Sequence, residues 1–170
     1  ISLTGYSFVL PSILIVYSVI GIFGVNGVLN QIINFYDLLN IKTIFGLQGI
    51  LIAHILLNTP FATRIFIQNL NSIPKNYIDV AKSMNFNFLQ NFLYIEWPFI
   101  KQNIVSIFSI IFILCFLSFA IVMSLGGGPK YSTIEVAIYQ SIFFEINFNK
   151  AIVLSLFQIF ICIILLLIGF

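Results

Sequence analysis

Charged side chains are scarce in this sequence. Asp, Glu, Lys and Arg make up 7% of the 170 residues, whereas a soluble domain carries about 25%. Hydrophobic residues make up 61%. So few charges would not keep a chain of this size in solution, and a lipid bilayer would accept the apolar remainder as its surface. The scarcity therefore excludes an ordinary soluble domain, and a net charge of +2 predicts no nucleic-acid partner.

Cysteine and histidine are scarce as well. The two cysteines, Cys115 and Cys162, lie inside apolar runs. They make no disulfide framework, and we interpret both as packing residues. One histidine and five scattered carboxylates assemble no metal set or nucleophile pair. The sequence therefore predicts no catalytic residue, no metal site and no cofactor, and an enzyme within the membrane is the weaker alternative.

The positions of the charges outline the membrane spans. A charge at the centre of a membrane helix costs about 2.5 to 3.5 kcal/mol, so spans should lie between the charges. Each long uncharged run exceeds or approaches the about 20 residues that a membrane helix needs. The sequence predicts an all-α membrane protein with four transmembrane helices, at approximately residues 3–25, 44–64, 102–125 and 151–170.

Basic residues are concentrated between the second and third spans. Residues 64–101 hold more bases than acids, whereas residues 37–42 and 130–150 are balanced. Because Lys and Arg concentrate on the cytoplasmic side, we expect the middle segment and both ends of the chain in the cytoplasm. The sequence has no initiating Met and stops inside an apolar run, so we also expect a piece of a longer protein.

The middle segment is longer than a connection between two spans requires. Apolar residues recur at helical spacing from Tyr77 to Met84, after a proline suited to a first turn. Asn85 follows, and Asn tolerates the left-handed conformation that ends many helices. A second short helix begins near Phe88. The pattern predicts two short helices within approximately residues 72–98.

This segment resembles the signature of binding-protein-dependent ABC transporter permeases. In the signature, Glu-Ala-Ala is followed after three residues by Gly, and after nine more by Ile-x-Leu-Pro. Here Asp79-Val80-Ala81, Asn85 and Ile95-Glu96-Trp97-Pro98 keep that spacing. The identities differ at Asp79, Val80, Asn85 and Trp97. Asp keeps the carboxylate, Val stays apolar and Asn accepts the backbone conformation of Gly, whereas Trp is bulkier.

The resemblance implies the core of a type I importer permease, whose two-helix coupling segment docks on a cytoplasmic ATP-binding subunit. Helix-in-groove recognition is a physically suitable mode for this contact. An amphipathic helix resting on the bilayer is the alternative. The coupling residues implied are Asp79, Ala81, Met84, Asn85, Phe88, Ile95 and Pro98.

Shorter stretches along nearly the whole chain resemble the first half of permeases of bacterial thiamine importers. Examples are residues 46–51, 124–129 and 137–140. The resemblance implies an inner-membrane permease for thiamine or its phosphates, with a periplasmic substrate-binding protein and a second permease half in the same chain or another subunit. Iron(III) or polyamine permeases are the alternatives within the family, and a membrane scaffold without transport is the alternative outside it.

The glycine-rich stretch at residues 126–130 does not have the pattern of a phosphate-binding loop, and no strand is predicted before it. ATP hydrolysis is therefore expected on a partner chain.

Polar residues inside spans are candidates for the translocation path, because burying them in lipid is costly. His54, Asn58 and Ser118 lie within predicted spans. Each either bonds to a neighbouring helix or lines the path. Glu135 and Tyr139 lie on the expected outer side, where a carboxylate or a ring face could meet a cationic aromatic vitamin.

Overall fold

The computed structural model describes residues 11–34, 37–38 and 43–169. Every regular element within these ranges is helical. The helices are α1 Ser12–Phe23, α2 Val28–Ile33, α3 Leu47–Asn71, α4 Lys75–Ser83, α5 Phe88–Asn91, α6 Trp97–Phe116, α7 Phe119–Leu125, α8 Ile134–Phe143 and α9 Phe148–Gly169. A π-helical turn, Phe92–Glu96, joins α5 to α6, and a 3₁₀ turn, Pro129–Tyr131, precedes α8.

The described residues contain four helical stretches long and apolar enough to cross a membrane. They are Ser12–Ile32, Leu47–Asn71, Phe88–Phe116 and Phe148–Gly169. This confirms the predicted all-α architecture with four transmembrane helices. Residues 3–10 of the predicted first span and residue 170 of the fourth lie outside the described residues.

The main core lies where α1, α3 and α7 meet. Val16 and Val19 of α1, Ala53 of α3, and Ile121 and Leu125 of α7 are almost completely buried there. On its other side α3 packs against α6, which in turn packs against α9, and α9 packs against α8. The helix α6 therefore lies between α3 and α9.

Large apolar side chains cover the outside of α9. Val153, Leu156 and Leu167 are each more than 60% exposed. Water would not tolerate a continuous surface of this kind, whereas lipid or a further membrane helix would. The exposure pattern agrees with the composition of the sequence.

The third apolar run is not one continuous helix. The helix α6 ends at Phe116, Ser118 has an extended backbone with φ −80° and ψ 97°, and α7 starts at Phe119. Both sides of this break are apolar, so hydropathy gives no sign of it. The break turns α7 toward α1 and α3, where its buried face completes the main core.

At its other end the third span begins earlier than the predicted residue 102, because the apolar helical stretch starts at Phe88. The helices α5 and α6 are continuous through the π-helical turn. A proline ring clashes with the carbonyl four residues earlier in a regular α-helix, and the wider π-helical turn directly before Trp97 and Pro98 accommodates it.

The start of α3 approaches the preceding chain closely. A Cβ atom added to Gly49 would lie 2.3 Å from the Ile44 carbonyl oxygen, a backbone atom that cannot rotate away. By contrast, a Cβ atom added to Gly21 in α1 would meet nothing within 4 Å. The close backbone contact therefore requires glycine at position 49, whereas position 21 has room for a side chain.

We expect Gly49→Ala to destabilise the fold by about 1 to 3 kcal/mol, because the backbone must shift to admit the methyl group. The control, Gly21→Ala, should stabilise it by about 0.5 to 1 kcal/mol, since Ala is the better helix former. Thermal unfolding of the detergent-solubilised protein measures both effects. Equal shifts for the two variants would contradict the close approach.

Candidate functional site

The segment between the second and third spans has a small core of its own. Ile73, Ala81 and Ile95 are each less than 10% exposed, and Leu70 and Phe99 pack against them together with Phe86. This core fixes α4 against the end of α3 and the start of α6. Ala81 and Ile95, two of the predicted coupling residues, therefore lie inside the segment and shape it, rather than on its surface.

The turn between α4 and α5 depends on an asparagine. Asn85 has φ +53°, the left-handed conformation that the sequence predicts. The Phe86 N–H donates to the Ala81 carbonyl at 3.0 Å, which closes the end of α4. Asn87 then starts α5 by accepting from the Gln90 N–H at 2.8 Å, while the Gln90 side chain accepts from the Asn87 N–H at 3.0 Å. These bonds hold the turn in one shape.

Three large apolar side chains flank this turn. Met84 is 62% exposed, Phe88 82% and Leu89 72%. We call these three residues the apolar tip. Asp79 is exposed on α4, and Pro98 is exposed at the start of α6. The segment therefore presents an exposed apolar end, next to a helix that also exposes the charged side chains of Asp79 and Lys82.

A cavity of about 330 Å³ lies between α3, α6, α7 and the loop before α8. His54 of α3, Cys115 of α6 and Thr133 of the loop line it. At its edge the Asn58 Nδ2 atom donates to Cys115 Sγ at 3.2 Å. Of the two roles expected for Asn58, a bond to a neighbouring helix is the one that the structure shows. Cys115 therefore has a polar partner in addition to its packing contacts.

Two buried polar atoms of this cavity have no hydrogen-bond partner in the described part of the chain. They are Nδ1 of His54 and Oγ1 of Thr133. An unsatisfied buried donor or acceptor costs about 1 to 3 kcal/mol. The cavity wall is thus mostly apolar, and these two unpaired atoms lie behind it with almost no accessible surface of their own.

Glu135 and Tyr139 lie apart from this cavity. The Gln158 side chain of α9, which is 4% exposed, donates to the Glu135 carboxylate. The Tyr139 ring packs among aromatic rings, with centroids 5.0 Å from Phe119 and 4.7 Å from Phe143. The structure therefore does not bring all the predicted path residues together.

Ser118, the last of the predicted path residues, is half-buried at the break between α6 and α7. Its position marks a change of helix direction, and it does not line the cavity of His54.

Sequence reasoning did not select Thr133 or Tyr131, which line the same cavity as His54. Both lie in a connecting segment between apolar runs, and neither belongs to a motif. Their one sequence signal is the Gly-rich stretch at residues 126–128, which allows the chain to fold back toward α3.

Comparison with known proteins decides the family. The profile of the family described as "Binding-protein-dependent transport system inner membrane component" matches residues 3–170. The chain belongs to this family of transport permeases. No solved structure matches the permease chain.

Among curated relatives, the thiamine transport system permease protein ThiP of Haemophilus influenzae is 41% identical over 165 residues. This match covers 97% of the permease chain and 31% of that relative. The proteins of the same name from Escherichia coli and Salmonella typhimurium are 36% and 35% identical, over 94% and 98% of the chain. The chain spans about 31% of the length of these relatives and matches their N-terminal part.

The Gln158–Glu135 contact gives a test of the permease structure. We expect Gln158→Leu to destabilise it by about 1 kcal/mol, because the half-buried Glu135 carboxylate loses its donor. The double variant Glu135→Leu with Gln158→Leu should lose less, since no polar atom is then left unpaired. Thermal unfolding of the four proteins in this double-mutant cycle measures the coupling. Additive losses would show that the two side chains do not interact.

Proposed function

We propose that this chain is part of the permease of an ATP-driven importer for thiamine or its phosphates. The observation that supports thiamine as the substrate is the 41% identity with a thiamine transport permease over nearly the whole chain. The chain corresponds to about a third of such a relative, so a second permease half is expected to complete the path. The transporter would lie in a bacterial inner membrane.

The orientation of the chain follows from its basic residues. Lys75 and Lys82 lie on α4, and Arg64 and Lys101 flank the segment on either side. The preference of Lys and Arg for the cytoplasm supports a cytoplasmic position for α4 and α5, with the loop that carries Tyr131 on the periplasmic side. A periplasmic substrate-binding protein would then deliver substrate near that loop.

The apolar tip is suited to dock in a groove of the ATP-binding subunit. Met84 and Phe88 flank a turn that Asn85 and the capping bonds of α5 hold in shape, so little conformational entropy is lost on docking. Asp79 adds a carboxylate that a basic residue of the partner would pair with. ATP hydrolysis takes place on that partner.

The helices α3 and α6 connect the docking segment with the cavity. Closure of the ATP-binding subunits would move the segment, and these helices would carry the movement to the walls of the path. The path would then open alternately to each side, as a shift between two conformations driven by ATP binding.

The docking proposal predicts that Phe88→Asp reduces co-purification of the ATP-binding subunit about thirtyfold, since the loss of a buried aromatic anchor costs about 2 kcal/mol or more. Ile146→Asp is the control. Ile146 is 73% exposed, lies on the expected outer side and has φ +51°, which Asp tolerates better than Ile. The measurement is the ratio of the two subunits after affinity purification from detergent.

Undiminished association of the Phe88→Asp variant would exclude the apolar tip as the contact. Loss of association in the Ile146→Asp control as well would point to a general defect in assembly, and would also contradict the proposal. A membrane scaffold without transport would bind no ATP-binding subunit in either form.

The substrate proposal predicts ATP-dependent uptake of labelled thiamine by proteoliposomes that contain the full-length permease, the ATP-binding subunit and the binding protein. Unlabelled thiamine should compete, whereas iron(III) and polyamines should not. Uptake of iron(III) or a polyamine instead would assign the permease to one of the alternative substrates. Uptake that is unchanged after Glu135→Ala and Tyr139→Ala would remove these two residues from the path.

A further inference from the structure

The joint between α5 and the span α6 is the π-helical turn Phe92–Glu96. The Trp97 N–H donates to the Phe92 carbonyl, five residues earlier, where a regular α-helix would bond to the residue four earlier. Single π-helical turns inside α-helices are rare, and they occur frequently at functional sites. Because this turn connects the apolar tip with the span, its shape sets the orientation of one relative to the other.

Two pairs of side chains contact each other across the turn. The Asn91 Nδ2 atom donates to the Glu96 carboxylate at 2.9 Å, and the rings of Phe92 and Trp97 have centroids 6.1 Å apart. The members of each pair are five residues apart. In a regular α-helix such residues point about 140° away from each other around the axis, whereas a π-helical turn places them one above the other. Both contacts therefore depend on the wide turn and stabilise it.

The turn lies at the edge of the membrane. The helix α6 alone has 20 residues, which at the α-helical rise gives about 30 Å, enough to cross the hydrocarbon core. The turn and α5 therefore extend beyond the core, on the expected cytoplasmic side. Asn91 and Glu96 are both half-buried there, so water competes only partly for their hydrogen bond, and the charged acceptor strengthens the bond.

A change of this turn to regular α-helical geometry would rotate everything that precedes it. Winding one additional residue into the α-helix turns the preceding segment by about 100° relative to α6. Ile95 would then leave the small core that it shares with Ile73 and Ala81, and the apolar tip would face another direction. Pro98 has no N–H for an α-helical bond and so opposes the change. The side-chain contacts across the turn oppose it as well.

We propose that Asn91 and Glu96 are positioning residues for transport. Their hydrogen bond holds the π-helical turn in one shape, and the turn fixes the direction of the apolar tip relative to α6. A displacement of the tip by its partner is then transmitted to the span instead of being absorbed at the joint. The inference rests on the proposed function where it assigns an ATP-binding subunit to the tip. It is separate from docking, because neither side chain belongs to the apolar tip.

The test swaps the donor and the acceptor of this bond. Asn91→Asp keeps the size of the side chain but sets two carboxylates against each other, which removes the bond and adds repulsion. Addition of Glu96→Gln restores a bond, because the new amide donates to the new carboxylate, and the double variant keeps the native net charge. Asn149→Asp is the control, since it makes the same chemical change at an exposed residue in the first turn of α9.

The first measurement is hydrogen–deuterium exchange of the backbone amides of residues 92–97 in the purified full-length permease in lipid nanodiscs. We expect Asn91→Asp to accelerate this exchange about tenfold, the effect of losing one hydrogen bond to a charged group on local opening. The double variant should return close to the native rate, and Asn149→Asp should leave the rate unchanged.

The second measurement is the amount of thiamine taken up per ATP hydrolysed by the complete transporter in proteoliposomes. Asn91→Asp should lower this ratio about threefold or more, within the range by which residues between two sites alter their coupling. The ATP-binding subunit should still co-purify with this variant, and the double variant should recover the native ratio. The ratio does not depend on the amount of folded transporter, so a general loss of stability would leave it unchanged.

The outcomes distinguish the positioning role from the proposed function. Exchange that Asn91→Asp leaves unchanged would overturn the role of the bond in the turn. Faster exchange with an unchanged uptake ratio, or a ratio that the double variant does not recover, would overturn the positioning role, as would loss of the ATP-binding subunit from the Asn91→Asp variant. Absence of thiamine uptake by the native transporter would overturn the thiamine proposal alone, and the ratio is then measured with the iron(III) or polyamine that the transporter takes up.

Discussion

The hydrogen bond from the Gly46 N–H to the Leu125 carbonyl, at 2.6 Å, joins the start of α3 to the end of α7, and the arrangement of the cavity depends on it. Backbone groups at helix ends inside a membrane protein need partners within the chain, because lipid offers none. Gly46 has φ +103°, and a side chain there would meet the Tyr131 ring at 3.1 Å. The loop that carries Tyr131 and Thr133 is thereby placed beside His54.

The two candidate sites lie at opposite ends of the same pair of helices. The helix α3 carries His54 in the cavity and Leu70 in the core of the segment between the second and third spans, 16 residues apart or roughly 24 Å at the α-helical rise of about 1.5 Å per residue. The helix α6 likewise carries Phe99 at one end and Phe112 near the other. Packed helices of this kind, of which α3 contains Pro60 between the two sites, are a physical route for a displacement at one site to reach the other.

Much of the fold could be predicted because a bilayer restricts the possible structures so strongly. The scarcity of charge predicted four spans, and the left-handed Asn85 was predicted from its position at the end of an amphipathic helix. The individual roles within the motif could not be predicted. Ala81 and Ile95 share the motif with Asp79, but they are buried in the segment, because a linear spacing does not tell which face of a short helix meets its own core.

The sequence by itself determined the number of membrane helices and the position of the two short helices between the second and third spans, since hydropathy and charge are properties of single residues summed along the chain. Only the tertiary structure decided that the third apolar run breaks at Ser118 and that Thr133 shares a cavity with His54. It also decided that Glu135 bonds to Gln158 instead of facing that cavity. These facts depend on contacts between residues far apart in the chain. All the helices are similarly apolar, so composition does not indicate which of them contact each other, and the packing geometry decides it.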